Sequence, residues 1–451
     1  MKWEMNMMIS SRLRTNLSAI ATAALLVLAC ACDGGFGPGE DENGQDEMLR
    51  GDQALVRSDL PRAQPQLDPT ELAAQVEANT AFGLDLYKEL RLTEDDNLFL
   101  SPLSISLALG MTHAGARGAT AEQMAQALRF VLADDGHHDA FNAIEQALAS
   151  RGQGAQGSDG EGFRLNINNA VWGQDGFGLE SPFLDLLAAQ YDAGLRLLDF
   201  AAQPEVSREI INEWVSFHTE EKIPELLPEG SINDYTRLVL TNTVYFNAAW
   251  KHPLDDDTRD APFTMNDGQV VQAETMHKLA PFGYASLEGF EVVELPYDGD
   301  ELSMVVLLPA EGQLEALEEE LSVAVLDAAL AEVETLEMDL ALPKFSFSKQ
   351  VMLPAYLQAL GMIDAFDAGA ADFTGISPAG DLYITGVIHE AFVDVHEEGT
   401  EAAAATGVVV GTTSAPSFEV SVKVDRPFLF LIRDIETGTV LFLGRVLDPT
   451  A

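Results

Sequence analysis

From residue 69 onward the apolar positions alternate between two periods, and each period predicts a different kind of element. Leu72, Val76, Phe82, Leu86 and Leu90 recur at near-helical spacing. The preceding Asp68-Pro69-Thr70-Glu71 is a helix start: a capping carboxylate, a proline at the first helical position and a glutamate placed for a capping box. Helical patterning dominates 103–150, 180–227 and 312–334. Leu238–Phe246 and Leu302–Leu308 are apolar on both alternations, which predicts strands buried on both faces. Phe428–Ile432 and Val440–Val446 flank a turn centred on Thr437-Gly438, the pattern of a hairpin. The Gly-rich stretch 151–162 is short enough to be a loop. Helices and strands do not alternate regularly and no fixed-period repeat occurs, so the pattern gives an α+β class and removes solenoids and propellers.

Upstream of residue 69 the pattern changes. Lys2, Arg12 and Arg14 precede a nearly unbroken apolar run from Leu17 to Ala31, too short for a comfortable membrane span. Residues 1–32 therefore read as an export signal. Both cysteines of the chain, Cys30 and Cys32, lie at the end of this run, in V-L-A-C-A-C. That ending resembles a bacterial lipobox, in which a cysteine after small residues becomes lipid-modified. Cys30 fits slightly better, with Leu28 and Ala29 before it; Cys32 is the alternative, and an ordinary cleaved signal is the other reading. Residues 33–68 are rich in Gly, Pro, Asp, Glu and Gln, which predicts a disordered acidic tether before a single domain at 69–451. The location expected is extracytoplasmic, either anchored by lipid or secreted. The domain has no cysteine, so neither disulfides nor a cysteine-type zinc site holds it together.

Charge narrows the partners. With 25 basic and 73 acidic side chains the chain carries −48, which argues against nucleic acid, heparin-like polymers and anionic lipid. The membrane enters only through a lipid anchor. Candidate catalytic patterns fail one by one. Gly375-Ile-Ser-Pro-Ala-Gly380 spaces its glycines wrongly for a nucleophile elbow. His389-Glu390 and His396-Glu397 lack the second histidine of a zinc-protease helix. His137 and His138, beside Asp134 and Asp135, read as a surface loop, with opportunistic metal binding as the alternative, and His113, His218, His252 and His277 show no pairing. No phosphate-binding glycine motif is present, so the reading is of a protein that is not an enzyme and needs no metal or cofactor.

Several segments, spread over nearly all of 69–451, resemble the serpin family. They are N-L-F-L-S-P-L-S-I at 97–105, L-T-N-T-V-Y-F-N-A-A-W at 240–250, L-P-K-F-S-F at 342–347, V-I-H-E-A-F-V-D-V-H-E-E-G-T-E-A-A-A-A-T at 387–406, D-R-P-F-L-F-L-I-R-D at 425–434 and F-L-G-R-V at 442–446. The resemblance implies three β-sheets, surrounding helices and an exposed reactive-centre loop at about 397–419. It also implies the mechanism. A protease attacks the loop and forms an acyl-enzyme; the freed loop inserts into the central sheet as a new strand and distorts the protease before hydrolysis finishes. Ser101, Asn242 and His389 would form the family's shutter cluster of hydrogen bonds. Trp250, Lys344 and Glu397 would sit at the breach where the loop enters, with Lys344 and Glu397 able to pair.

The loop's own residues suit that task. Beyond Glu397, Glu398 and Gly399, one alternation is Thr400, Ala402, Ala404, Thr406, Val408, Val410, all small or β-branched and uncharged. The other is Glu401, Ala403, Ala405, Gly407, Val409, whose one charge belongs on the solvent side. No proline interrupts 397–415, so every amide is available to a sheet. The family's spacing from Gly399 implies cleavage between Thr413 and Ser414. A small, uncharged Thr413 suits shallow pockets of the elastase or subtilisin kind and underfills or mismatches deeper ones. The expected partner is thus a serine protease, with cysteine proteases as the alternative, bound by a monomer without a heparin-like activator. The other function weighed is a non-inhibitory serpin acting as a binding or surface protein.

Overall fold

The computed structural model describes residues 49–152, 155, 163–400 and 418–451. These lie in one contact unit, Met48–Ala451. The predicted first long helix is α2 (Pro69–Leu90), after a short α1 (Arg50–Gln53). Its start is as the sequence required: the Thr70 amide donates to Asp68 Oδ1 at 2.9 Å and the Asp68 amide to Glu71 Oε2 at 3.2 Å. The helical stretches become α3 (Pro102–His113), α4 (Gly118–Ala127), α5 (His137–Ala149), α6 (Ser181–Tyr191), α7 (Pro204–His218), α8 (Leu314–Glu320) and α9 (Val323–Ala331), with α10 (Pro354–Ala359) later in the chain. Every residue of α3 is buried, because this helix lies within the core and packs against the strands rather than capping their surface.

One sheet has the order β1 (Leu55–Val56), β4 (Leu195–Leu198), β3 (Arg164–Gln174), β5 (Leu238–Ala249), β13 (Gly399–Thr400), β12 (Ile384–His396), β11 (Phe345–Met352). β5 is buried along its whole length, as its two-sided apolar pattern predicts. The second ladder runs β14 (Val420–Lys423), β10 (Glu334–Pro343), β7 (Val270–Leu287), β8 (Phe290–Pro296), β9 (Leu302–Pro309), β15 (Phe428–Asp434), β16 (Val440–Val446), β2 (Leu98–Leu100), with β6 (Asp257–Thr264) also on β7. β7 is long enough to serve two sections. Its first part pairs with β6 and β10, and its end, from Gly283, pairs with β8. Two of the three sheets that the family resemblance implies are thus joined through β7. The hairpin of β15 and β16 turns at Thr437-Gly438, where Gly438 takes φ +74° and the Thr437 amide donates to Asp434 Oδ2.

Two expectations are corrected. The stretch 49–68 lies along the domain instead of hanging free as a tether. β1 adds to the sheet edge at β4, Arg50 pairs with Glu213 at 2.6 Å, and the Ala63 amide donates to the Ala189 carbonyl. Composition hid this because the contacts are made by a few residues, among them Gly51, whose missing side chain lets Trp214 approach. His137 and His138 likewise do not lie in a surface loop. They open α5 and are 1% and 3% exposed. Aromatic packing draws them in: the His137 ring stacks on Phe130 at 4.0 Å.

Candidate functional site

The central sheet carries the site at the join between β5 and β12. These two strands pair directly and in parallel from Ile384 opposite Leu238 to Ala391 opposite Val244. Beyond Ala391 they part, and the chain turns back so that Gly399 and Thr400 fill the gap. Both residues pair antiparallel with β5, opposite Ala249 and Ala248, and antiparallel with β12, opposite His396 and Val395. Gly399 and Thr400, within the hinge expected at 397–406, are therefore already a strand of the sheet, while β5 and β12 stay paired below them.

Each of the two has a physical reason to be what it is. A Cβ on Gly399 would lie 2.2 Å from the Ala248 carbonyl oxygen, so only glycine passes there. Thr400 is 2% exposed, and its hydroxyl meets the Tyr297 hydroxyl at 2.8 Å. Burial pushes the Tyr297 phenol far above its usual range, so that hydroxyl stays neutral. Thr400 thus faces the interior, as the alternation requires. Glu401, Ala402, Ala403, Ala404, Ala405 and Thr406, and the expected scissile pair Thr413 and Ser414, lie outside the described residues, as do Cys30, Cys32 and the segment 1–48.

The residues expected at the breach surround this entry. Trp250 stacks on Tyr297 with ring centroids 4.5 Å apart, and its indole N–H donates to the His396 carbonyl at 2.9 Å. Its backbone amide donates to the Glu398 carbonyl at 2.8 Å, and the Leu254 amide to the Glu397 carbonyl at 2.7 Å. Lys344 Nζ lies 3.1 Å from Glu397 Oε2, and the Thr258 hydroxyl donates to Glu397 Oε1 at 2.9 Å. Partial burial opposes ionisation of Glu397, but its own backbone amide, the Thr258 hydroxyl and Lys344 outweigh it and hold the carboxyl below the usual range.

The residues expected to form a shutter cluster lie further along the same join, in its β5–β12 pairing. Asn169, Asn242 and His389 face one another in register across β3, β5 and β12. His389 Nε2 accepts from the Ser101 amide at 3.2 Å, which leaves the proton on Nδ1 to be donated to Asn242 Oδ1. The Asn242 amide donates in turn to Ser104 Oγ and Asn169 Oδ1, and the Ser104 hydroxyl donates to Asn169 Oδ1 at 3.1 Å. Ser101 takes part through its backbone and as the N-cap of α3, where its hydroxyl accepts from the Ser104 amide. Complete burial drives the His389 pKa down to about 3, so the ring is neutral. Separating β5 from β12 must break the bond between Asn242 and His389.

Ser104, Asn169 and Tyr297 complete these clusters and were not singled out from the sequence. Ser104 had a signal, as a polar residue inside an otherwise apolar helix. Asn169 had a weaker one, in the run N-I-N-N-A of β3. Tyr297 had none, because its partner Thr400 is 103 residues away.

Comparison with known proteins agrees with this architecture. The family model described as "Serpin (serine protease inhibitor)" matches residues 77–449. A leukocyte elastase inhibitor of Equus caballus is 38% identical over 384 residues, covering 82% of this chain and 98% of that protein. An uncharacterized serpin-like protein of Methanosarcina acetivorans is 37% identical over 374 residues, covering 82% and 85%. The crystal structure of the thermophilic serpin tengpin in its native state aligns with a TM-score of 0.76 at 27% identity, over 87% of this chain and 97% of that one. Uncleaved ovalbumin aligns at 0.73 and 26%, over 83% and 100%. The chain belongs to the serpin family. At the level of that family it is a protease inhibitor, and its partners are proteases.

Proposed function

We propose that the chain is a single-use inhibitor of serine proteases with small specificity pockets, acting by loop cleavage, acyl-enzyme trapping and strand insertion. One observation carries the reading. Gly399 and Thr400 are seated between β5 and β12, with Thr400 turned inward, while the strands below them are still joined to each other. That is the beginning of an insertion in a sheet that has not yet opened. The uncharged inward alternation that follows, and the absence of proline, support its continuation. The name of the equine relative, a leukocyte elastase inhibitor, supports the small-pocket class, as does Thr413 before the proposed scissile bond to Ser414.

The test is incubation with an elastase-like protease, denaturing electrophoresis, and mass spectrometry of the released C-terminal fragment. A covalent complex and a fragment beginning at Ser414 are expected. Fragments without a complex would make the chain a substrate and favour the non-inhibitory reading. Strong trapping of trypsin, with none of any small-pocket enzyme, would overturn the specificity claim alone. We further infer an extracytoplasmic monomer needing no heparin-like activator, anchored through lipid on Cys30 or Cys32. Replacing both cysteines by serine should release the protein from membranes, and unchanged fractionation would refute the anchor.

A further inference from the structure

Three histidines far apart in sequence meet at one buried point. His113 ends α3, and His137 and His138 begin α5. One ring nitrogen from each lies within 4.8 Å of one from each of the others. His113 Nδ1, His137 Nε2 and His138 Nε2 are buried, and each is without a hydrogen-bond partner among the described residues. Each of the three rings thus carries a buried nitrogen without a partner, which is costly unless something satisfies it. We propose that His113, His137 and His138 bind a divalent transition metal of the zinc type. This inference is independent of the inhibitory reading.

The chemistry of the donor set fits. Neutral imidazole suits zinc, copper and nickel, while oxygen-rich sites suit magnesium and calcium. Zinc–nitrogen bonds of about 2.0–2.1 Å put tetrahedral ligand nitrogens roughly 3.3 Å apart, so the rings must close up by on the order of 1 Å. A hydrogen bond orients one of them. His138 Nδ1 and the Tyr191 hydroxyl are 2.5 Å apart, and with Nδ1 as donor the unpartnered Nε2 is the metal-facing atom. Gly110 makes room for this contact, because a Cβ there would lie 2.8 Å from the Tyr191 oxygen.

The site also has an entry path. A cleft of about 580 Å³ is lined by His113, His137, Phe130, Arg117, Glu122 and Asp135. The carboxylates of Glu122 and Asp135 offset Arg117 at its walls and favour a cation over an anion there. Asp135, next to Gly136 at the head of α5, is exposed at the wall of this cleft.

The test uses the untagged full chain and Zn²⁺ alone, competed against a chromogenic chelator. Excess Mg²⁺ saturates the many exposed carboxylates. One Zn²⁺ per chain is expected, and Co²⁺ in its place should give the intense visible absorption of a four-coordinate centre. His137→Phe keeps the stacking on Phe130 but removes a ligand, and should weaken Zn²⁺ binding on the order of 100-fold or more; Tyr191→Phe should cost about 10-fold. His113→Asn, on the other helix, repeats the test should His137→Phe fail to fold. The proposal is overturned by binding that no folded variant weakens, by a cobalt spectrum typical of six oxygen ligands, or by the absence of stoichiometric binding.

Discussion

Thr400 is the residue on which the inhibitory reading turns, because its side chain is already where an inserted strand must place it. Thr400→Arg would bring an unpaired charge against Tyr297, at a cost of several kcal/mol. Insertion slows by about tenfold for each 1.4 kcal/mol added to its barrier, and acyl-enzyme hydrolysis then wins. The expected outcome is a steep rise in the moles of inhibitor consumed per mole of elastase-like protease. Trapping at wild-type stoichiometry would refute the inward assignment. His389 gives a second prediction at this scale. Its pKa is near 6.5 when unfolded and about 3 in the native protein, so the unfolded chain binds the extra proton between those values. Stability from this residue is complete above pH 6.5 and is lost as pH falls toward 3. A protonated ring would also point Nε2–H at the Ser101 N–H. The rate at which native fluorescence is lost should rise as pH falls from 6.5 to 4, and His389→Gln should flatten that dependence.

Among the elements, the short ones changed the picture most. β1 is two residues long, yet it covers the edge of the central sheet at β4. Leu49 and Ala54 pack beside a small core that contains Trp172 and Trp214. Arg196 lies over the Trp214 ring at 4.6 Å and donates to Asp52 Oδ1, in the 49–68 segment, at 3.2 Å. Removing residues 1–66 should therefore lower the thermal midpoint, by about 1–2 °C for each kcal/mol lost in a domain of this size. An unchanged midpoint would mean that the segment adds nothing to stability. The long elements were legible beforehand: α2 by its cap and period, β5 and β9 by two-sided apolar runs, and the β15–β16 hairpin by its turn. What escaped was contact between distant segments with little apolar content. Residues 49–63 look like a linker by composition, and His113, His137 and His138 have neither a motif spacing nor neighbours that announce burial. The hinge alternation was legible because an inserting strand must carry its two environments in its own sequence. The partners of that hinge, Tyr297 and Thr258, were not.

Over the whole molecule, the proposed insertion mechanism requires that the uncut protein hold its central sheet in the less favourable arrangement. β5 and β12 meet in parallel, whereas Gly399 and Thr400 meet both antiparallel. Each further residue that enters would replace one parallel contact with two antiparallel ones, which are slightly stronger per residue. A barrier, not equilibrium stability, then sets the lifetime of the native form. Cleavage within 407–414 should raise the thermal midpoint well above that of the intact chain, and calorimetry of the two forms checks it. An equal or lower midpoint would sink the insertion mechanism.

If the loop inserts as proposed, the seam between β5 and β12 works as a record. While the strands lie in parallel, the molecule is unused; with a strand between them, its history is written in hydrogen bonds that no ordinary fluctuation rewrites. Such a protein has no turnover number. Its protective capacity is a head count of unopened seams, set by how many copies are made and how fast they age. A proteolytic burst larger than that count would pass unchecked, however fast each remaining copy reacts.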